Sequence, residues 1–383
     1  MTATAAPRAS SEERERLLDD FERLCRIESP SLSERAATDD VARELRAVGV
    51  EAAEDASGSA TGSDSGNLLA RLPGPEGARS VLLCAHLDTV PLAAPVDPVL
   101  DNGMFRNAND GILGADNKAA VAVLLGVARR LAREPMGVGV ELLFTTAEEL
   151  ALRGVKEVDR STLRSEFGFV FDHASPIGEL IVGSPTYLRL EASFTGTAAH
   201  AGIRPEEGRS AIVAAARAIS SMDLGRLDDA STANAGVIEG GSAANVVAER
   251  CRVELEARSL DAARAQTLIA SMVDACVEAA ADLECDVETD VDELFRGYRL
   301  KRGAAPVQAA WAALEALGIE PECVASGGGS DANALIAMGL PMVNVANGTE
   351  RNHQPDECVS VAALETMLNV TLGIVDRCGG RAG

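Results

Sequence analysis

The sequence predicts an α/β protein in which helices flank a mostly parallel sheet, with a second, α+β domain inserted into the first. Two observations predict this class. Continuous apolar runs, typical of strands that are buried on both faces, alternate with segments of helical spacing. From about residue 186 onward, polar and apolar residues alternate singly instead, as they do in half-exposed antiparallel strands.

The first part of the chain predicts two helices before the sheet begins. Residues 11–27 have helical apolar spacing, and the Ser29–Pro30 pair ends this helix because a residue before proline disfavours the helical conformation. A second helix is predicted at 33–48. The Gly-, Ser- and Asp-rich segment 57–66 predicts a flexible surface loop. The alternating elements that follow are strand 80–87, helix 117–134, strand 138–146 and strand 167–172.

The middle of the chain predicts a small α+β unit of its own. Its elements are strand 187–196, helix 209–222, strands 232–239 and 245–258, helix 261–282 and strand 284–292. The α/β rhythm then resumes with helix 304–317, strand 341–345 and helix 359–376. We therefore expect a main domain formed by residues 1–185 and 295–383, with the second domain at 186–294 inserted in it.

Charge and composition exclude several classes of partner. The formal net charge of −24 repels nucleic-acid backbones and anionic membranes, so neither is expected to bind. The sequence has no apolar run of about 18 residues and no apolar signal-peptide core. None of the eight cysteines forms a C-x-x-C pair, and several lie in apolar stretches, as is typical of a reducing compartment. The sequence predicts a cytoplasmic protein.

Two of the four histidines stand where a ligand site is expected. His86 lies at the end of a buried strand, in AHLDTVP, and open α/β sheets bind ligands at that edge. Asp88, two residues later, could reach the second imidazole nitrogen and fix its tautomer. His353 lies in the polar segment ANGTERNHQPDE, just after a predicted strand. Taken alone, each histidine could also be an ordinary loop residue.

Carboxylates occur at corresponding points of the chain. Asp116 lies where a loop enters a helix, in GADNKAA, and could also be an N-cap. Glu148 and Glu149 follow a buried strand, and adjacent carboxylates repel each other unless a cation lies between them or their roles differ. The alternative is the first turn of a helix, where acidic residues are favoured. Asp172 ends a further apolar strand, FGFVFD.

Together these residues predict a centre with two metal ions. Carboxylates combined with two imidazoles suit Zn²⁺, Mn²⁺ or Co²⁺. Five such ligands exceed the usual three protein ligands of a catalytic site with one zinc ion, and a carboxylate shared by two ions explains the excess. We therefore expect two divalent ions per chain, with zinc first and manganese or cobalt as alternatives.

The motifs AHLDTVP, GADNKAA, TTAEE, FDH and NGTERNH, in this order, resemble those of family twenty of the metallopeptidases. The resemblance covers nearly the whole chain, and the segments ILGADNKA and GGGSDANAL are most similar to the peptidase T-like branch. It implies a zinc-peptidase-like catalytic domain. It also implies that the inserted α+β domain acts as a lid and as the dimerisation domain. A homodimer formed through the inserted domain is therefore expected.

The resemblance also assigns roles to single residues. It implies that Asp116 bridges the two ions, that Asp88 orients His86, and that Glu148 acts as general base and acid. The metal ligands that it implies are His86, Asp116, Glu149, Asp172 and His353.

On the inserted domain, the resemblance implies that His200, Asn245 and Arg258 bind the substrate. His200 would reach the active site of a neighbouring subunit and stabilise the oxyanion, and Arg258 would bind a terminal carboxylate. The residues alone are also compatible with a solvated histidine, a turn asparagine and a surface arginine.

The expected activity is hydrolysis of amide bonds in short peptides, by an aminopeptidase that acts on tripeptides. An N-acyl-amino-acid amidohydrolase or a carboxypeptidase of the same family is the alternative, because the sequence does not show the pocket that distinguishes them. A non-enzymatic scaffold is disfavoured because Glu148, the implied base, is present. A serine hydrolase is disfavoured because the chain has no G-x-S-x-G motif.

Overall fold

The computed structural model describes residues 7–380, which form two compact units. The first unit contains the described chain up to Val182, together with Leu300–Ala325 and the chain from Ser330 onward. The second unit contains Gly183–Arg299 and Ser326–Gly329. The second unit is therefore built from one long insertion and one short loop.

The strands of the described residues are as follows, in chain order. They are β1 (Ala52–Glu54), β2 (Leu68–Leu72), β3 (Ser80–His86), β4 (Pro98–Asp101), β5 (Met104–Asn107), β6 (Gly139–Thr145), β7 (Phe167–Val170), β8 (Glu179–Ser184), β9 (Thr186–Thr195), β10 (Gly225–Asp228), β11 (Ser231–Gly240), β12 (Arg250–Ser259), β13 (Asp286–Phe295), β14 (Tyr298–Arg299), β15 (Glu322–Ala325), β16 (Met342–Val345), β17 (Thr349–Glu350) and β18 (Cys358–Ser360).

The α-helices of the described residues are also given in chain order. They are α1 (Ser11–Cys25), α2 (Arg35–Ala47), α3 (Ser57–Thr61), α4 (Ala115–Arg133), α5 (Arg153–Lys156), α6 (Ala211–Ser221), α7 (Ala262–Asp282), α8 (Ala305–Ala316), α9 (Asp331–Ala337) and α10 (Val361–Gly379).

The largest sheet has nine strands in the order β1-β2-β6-β3-β7-β16-β8-β14, with β15 paired to β8. Its central strands β6, β3, β7 and β16 are parallel, whereas β2 and β8 pair antiparallel on the two sides. Strands β3, β6 and β7 are buried at almost every position. Burial on both faces explains their continuous apolar runs, and the predicted mostly parallel sheet is confirmed.

Helix α4 lies at the centre of the first unit. Every residue from Ala115 to Ala128 is buried, because the helix packs against β3, α1 and α10. A helix that is apolar on all sides is expected in such a buried place. Near it, the rings of Phe21 and Phe105 meet edge to face with centroids 5.1 Å apart. Helix α4 is therefore enclosed by the core of the first unit.

The second unit is built around a separate antiparallel sheet in the order β10-β11-β12-β9-β13. Strands β9 and β12 alternate buried and half-buried residues, which fits the single alternation in the sequence. Helices α6 and α7 pack on the buried face, where Leu190, Phe194 and Val253 contribute to the core. The predicted α+β character of the inserted segment is confirmed.

The prediction of a flexible surface loop at 57–66 is wrong. Residues Ser57–Thr61 form helix α3, and both Ser57 and Thr61 are buried. The backbone N–H of Asn67 donates to Asp55 Oδ1 at 2.9 Å, and its side-chain amide donates to Asp55 Oδ2 at 2.9 Å. Side-chain hydrogen bonds thus order a polar segment that has few apolar side chains to bury.

A small sheet that the sequence did not predict holds the turn around His353. It has the order β17-β18-β5-β4, in which β4 and β5 form a hairpin. Strands β17 and β18 pair antiparallel and flank residues 351–357. The small sheet therefore fixes both ends of the turn that carries His353.

Among residues 7–380, no helix combines the length and the apolar character that crossing a membrane requires.

Candidate metal centre

Three neighbouring strands deliver predicted site residues to one edge of the large sheet. β3 ends at His86, β6 is followed by Glu148 and Glu149, and β7 is followed by Asp172. Because β6, β3 and β7 are adjacent and parallel, their carboxyl ends meet at the same edge. His86 and Glu148 are only 1% and 8% exposed. The edge thus gathers an imidazole and three carboxylates.

Asp116 lies between the two predicted histidine ligands. Its Oδ1 is 3.3 Å from Nε2 of His86, and its Oδ2 is 3.1 Å from Nε2 of His353. The N-cap of α4 is Gly114, and Asp116 has non-helical backbone angles, so Asp116 is not an N-cap. One carboxylate thus presents a different oxygen to each histidine.

The remaining carboxylates complete two groups of possible ligands. Asp172 Oδ1 lies 3.7 Å from His86 Nε2, and Glu149 Oε1 lies 2.9 Å from His353 Nε2. Ligand atoms of His86, Glu148 and Asp172 lie within 4.8 Å of one another. The same holds for His86, Asp116 and Glu149. These spacings fit ions that bind nitrogen and oxygen at about 2.0–2.2 Å.

Burial shapes the acidity of these carboxyl groups. Burial raises the pKa of Glu148 well above its ordinary value, and it also raises the pKa values of Asp172 and Glu149. Burial opposes ionisation of Asp116 too, but hydrogen bonds from the two histidines hold its pKa well below the ordinary range. The site therefore keeps one firmly ionised carboxylate among others that resist ionisation.

The histidines show the reverse tendency. Burial alone would lower the pKa of His86, but its contacts with Asp116, Asp172 and Asp88 raise that pKa well above the ordinary value. The carboxylates of Asp116 and Glu149 raise the pKa of His353 to about 10. In both cases nearby carboxylates favour the charged imidazole.

The donor set fits a pair of divalent cations. Oε1 of Glu149 is buried and makes no hydrogen bond, although His353 Nε2 lies close to it. Burying a carboxylate oxygen without a partner is costly, and a cation would supply that partner. Imidazole nitrogen and carboxylate oxygen are ligands that Zn²⁺, Mn²⁺ and Co²⁺ accept.

The carboxylate of Asp88 contacts the backbone of the glutamate pair. Its Oδ1 accepts from the N–H of Glu148 at 3.0 Å, and its Oδ2 accepts from the N–H of Glu149 at 3.1 Å and from Ser31 Oγ at 2.7 Å. His86 Nδ1 lies 3.0 Å from the carbonyl oxygen of Asp88 and 3.5 Å from its Oδ1. Asp88 therefore contacts both the imidazole and the loop that carries the glutamates.

The three predicted substrate-binding residues lie in the second unit. His200 and Asn245 are exposed, and the segments that carry them pair through a bridge at His200. Arg258 is paired with Glu256 at 3.1 Å and stacks over the ring of Tyr187 at 4.0 Å. Their contacts with a substrate stay predictions.

Glu357 is a buried residue of the site that the sequence did not indicate. Its carboxylate accepts from the backbone N–H groups of Gly114 and Asp116, at 2.7 and 2.9 Å. Burial raises the pKa of Glu357 to about 7. It lies in the acidic segment after His353, where nothing local distinguishes it from the exposed Asp356.

Known proteins resemble the chain over most of its length. The family model "Peptidase family M20/M25/M40" matches residues 82–377. The uncharacterized protein YqjE of Bacillus subtilis (strain 168) is 35% identical over 362 residues, which cover 94% of this chain and 98% of that protein. A tripeptidase structure from Staphylococcus aureus is 32% identical, with a TM-score of 0.90, and covers 96% of this chain and 98% of its own.

A structure of aminopeptidase PepT from Bacillus cereus is also 32% identical, with a TM-score of 0.86, over 96% of this chain and 99% of that one. The match therefore includes both units and every strand end described above. The chain belongs to peptidase family M20/M25/M40, and it is a hydrolase of the peptidase class.

Proposed function

We propose that this chain is a two-metal-dependent aminopeptidase that hydrolyses short peptides, with tripeptides as its substrates. The observation that carries the proposal is the position of Asp116, whose two oxygens lie 3.3 and 3.1 Å from the Nε2 atoms of His86 and His353. A ligand shared by two neighbouring ions needs such an arrangement.

The two proposed ligand sets share Asp116. His86 and Asp172 complete one set, and Glu149 and His353 complete the other. We propose zinc, with manganese or cobalt as alternatives, because these donors suit all three ions. When bound, two such ions polarise a carbonyl group and make a water molecule more acidic.

Glu148 is the residue proposed to move the proton. Its carboxylate is buried and lies within 4.8 Å of ligand atoms of His86 and Asp172. Its raised pKa makes it a stronger base than an exposed carboxylate. Glu148 would therefore accept a proton from the attacking water and deliver it to the leaving amine.

The choice of substrate rests on the similar structures, which are a tripeptidase and an aminopeptidase. We propose that His200, Asn245 and Arg258 bind polar groups of the peptide, with His200 acting in a neighbouring subunit of a homodimer. Arg258 would exchange its ion pair with Glu256 for a carboxylate of the substrate. A cytoplasmic location is part of the same proposal.

A panel of substrates tests the proposed specificity. The metal-loaded enzyme is incubated with tripeptides of three different residues, with dipeptides and with N-acetyl amino acids, and products are identified by mass spectrometry. The proposal expects the amino-terminal residue of the tripeptide to be released first, with the highest kcat/KM. Release of the carboxyl-terminal residue would indicate a carboxypeptidase, and preferred cleavage of N-acetyl amino acids an amidohydrolase.

The role of Glu148 has its own test. Glu148→Gln should keep the metal content and lower kcat by about 100- to 10,000-fold, because the proton acceptor is lost. Glu157→Gln, at an exposed position in the same segment of the chain, is the control and should keep wild-type activity. A fully active Glu148→Gln enzyme would contradict the proposed mechanism.

A further inference from the structure

We infer that Glu357 is a positioning residue that sets the distance between Asp116 and His353, and thereby the affinity for the second metal ion. The inference rests on the proposed two-ion site. Glu357 acts through the backbone, since its hydrogen bonds go to amide groups at the start of α4.

One end of this link is the segment that carries Asp116. Oε2 of Glu357 accepts from Gly114 N–H at 2.7 Å, and Oε1 accepts from Asp116 N–H at 2.9 Å. The side chain is only 1% exposed, so water does not compete for these bonds. Both carboxylate oxygens of Glu357 thus hold the same short segment of backbone.

That segment needs an external acceptor. Gly114 has a φ of +75°, and Asp116 has φ −82° and ψ 104°, so the chain is not helical at Asp116. The first amide groups of a helix have no acceptor within the helix. Glu357 supplies acceptors to two of them, and it therefore fixes the direction in which the Asp116 side chain leaves the backbone.

The other end of the link is the turn of His353. The N–H of Glu357 donates to the carbonyl oxygen of Gln354 at 3.0 Å, and an ion pair joins Arg351 to Asp356 in the same turn. The side chain of His353 is 49% exposed, so packing alone does not fix its position. The backbone of His353 has a φ of +64°. The carboxylate of Glu357 therefore ties this turn to the segment of Asp116.

Glu357→Gln tests the link with little change in size. The glutamine oxygen can still accept from one N–H group, but its NH₂ group is a donor and cannot accept from the other. One hydrogen bond is lost, and a donor then faces a donor. Because loss of an outer partner of a metal ligand weakens metal binding by about 10- to 100-fold, we expect that loss for one of the two ions.

Glu141→Gln is the matched control. Glu141 is 2% exposed, and its Oε2 accepts from the N–H groups of Arg164 and Ser165 at 2.8 and 2.9 Å. Its Oε1 accepts from Arg71 Nε at 3.0 Å. It lies on β6, four residues before the strand ends at Thr145. A glutamine oxygen can keep both amide contacts, but its NH₂ group then faces the Arg71 guanidinium. The substitution therefore breaks a buried carboxylate contact at a place that holds no proposed ligand.

The experiment is a calorimetric titration of each metal-free chain with ZnCl₂ and with MnCl₂, together with its thermal unfolding. We expect two ions in the wild type and in Glu141→Gln, and a second ion bound about 10- to 100-fold more weakly in Glu357→Gln. The melting temperatures of the two metal-free variants should both fall, since each loses a buried contact.

Wild-type affinity for both ions in Glu357→Gln would overturn the inference, and so would an equal loss in Glu141→Gln. A wild-type chain that binds only one ion would instead overturn the proposed two-ion function. If Glu357→Gln does not fold, Glu357→Asp replaces it, with Glu141→Asp as control, because aspartate keeps the charge but cannot reach both amide groups. The same second-ion weakening is then expected.

Discussion

Replacing Asp88 by Asn should lower turnover by displacing the loop that carries Glu148. Asp88 is fully buried, and its two oxygens accept from the N–H groups of Glu148 and Glu149 at 3.0 and 3.1 Å. Asparagine keeps one acceptor oxygen, so at least one of these two bonds is lost. The loop that carries the proposed base would then move relative to the ligands.

The size of the effect follows from the type of bond. A hydrogen bond to a charged acceptor contributes about 1.5–3 kcal/mol, and each 1.36 kcal/mol changes a rate tenfold. Asp88→Asn should therefore lower kcat by about 10- to 150-fold, if the full loss falls on the transition state. Steady-state kinetics on a tripeptide measures kcat, and elemental analysis measures the metal content of the same sample.

Ser31→Ala is the control for this prediction. It removes the hydroxyl that donates to Asp88 Oδ2 at 2.7 Å and leaves both amide contacts in place. We expect kcat to stay close to the wild-type value, because the two amide bonds that hold the glutamate loop remain. A kcat within threefold of wild type for Asp88→Asn, with the metal retained, would contradict the role given to Asp88.

Two predictions concern stability. The side-chain hydrogen bond from Arg130 is the main cause that lowers the pKa of Glu13 from 4.5 to about 2. The ionised carboxylate therefore stabilises the fold above pH 4.5, and this stabilisation is lost as the pH falls towards 2. Glu13→Gln should lower the free energy of unfolding by about 1–2 kcal/mol at pH 7, after allowance for solvent screening, and by less at pH 3. Denaturant titrations at both pH values measure this difference. Glu12→Gln, at an exposed position, is the control and should leave the free energy of unfolding unchanged at both pH values. Leu83→Ala, at a fully buried position of β3, should lower the free energy of unfolding by about 2–5 kcal/mol in the same titration, and a loss below 1 kcal/mol would contradict the close packing of this strand.

The central strands could be predicted because strands that are buried on both faces have continuous apolar sequences. Residues 80–86 and 139–145 are apolar almost throughout and lie in the middle of the sheet, where no face meets water. Parallel pairing then fixes where His86 and the glutamates at 148 and 149 must lie. This part of the fold follows from local patterns together with one topological rule.

Features that depend on contacts between distant segments have no comparable local sequence pattern. Segment 57–66 is polar and was predicted to be flexible, but Asp55 and Asn67 order it through hydrogen bonds. Glu357 contacts Gly114 across 243 residues, and its local sequence is that of an exposed acidic turn. Composition does not show which of several acidic residues is buried, because burial depends on the tertiary fold.

A crystal structure of the zinc-loaded enzyme, with anomalous diffraction measured at the zinc edge, tests the two-ion site directly. We predict two anomalous peaks about 3.5 Å apart, one on each side of the Asp116 carboxylate, beside His86 and His353 respectively. A single peak, or two peaks of which neither contacts Asp116, would contradict the two-ion site.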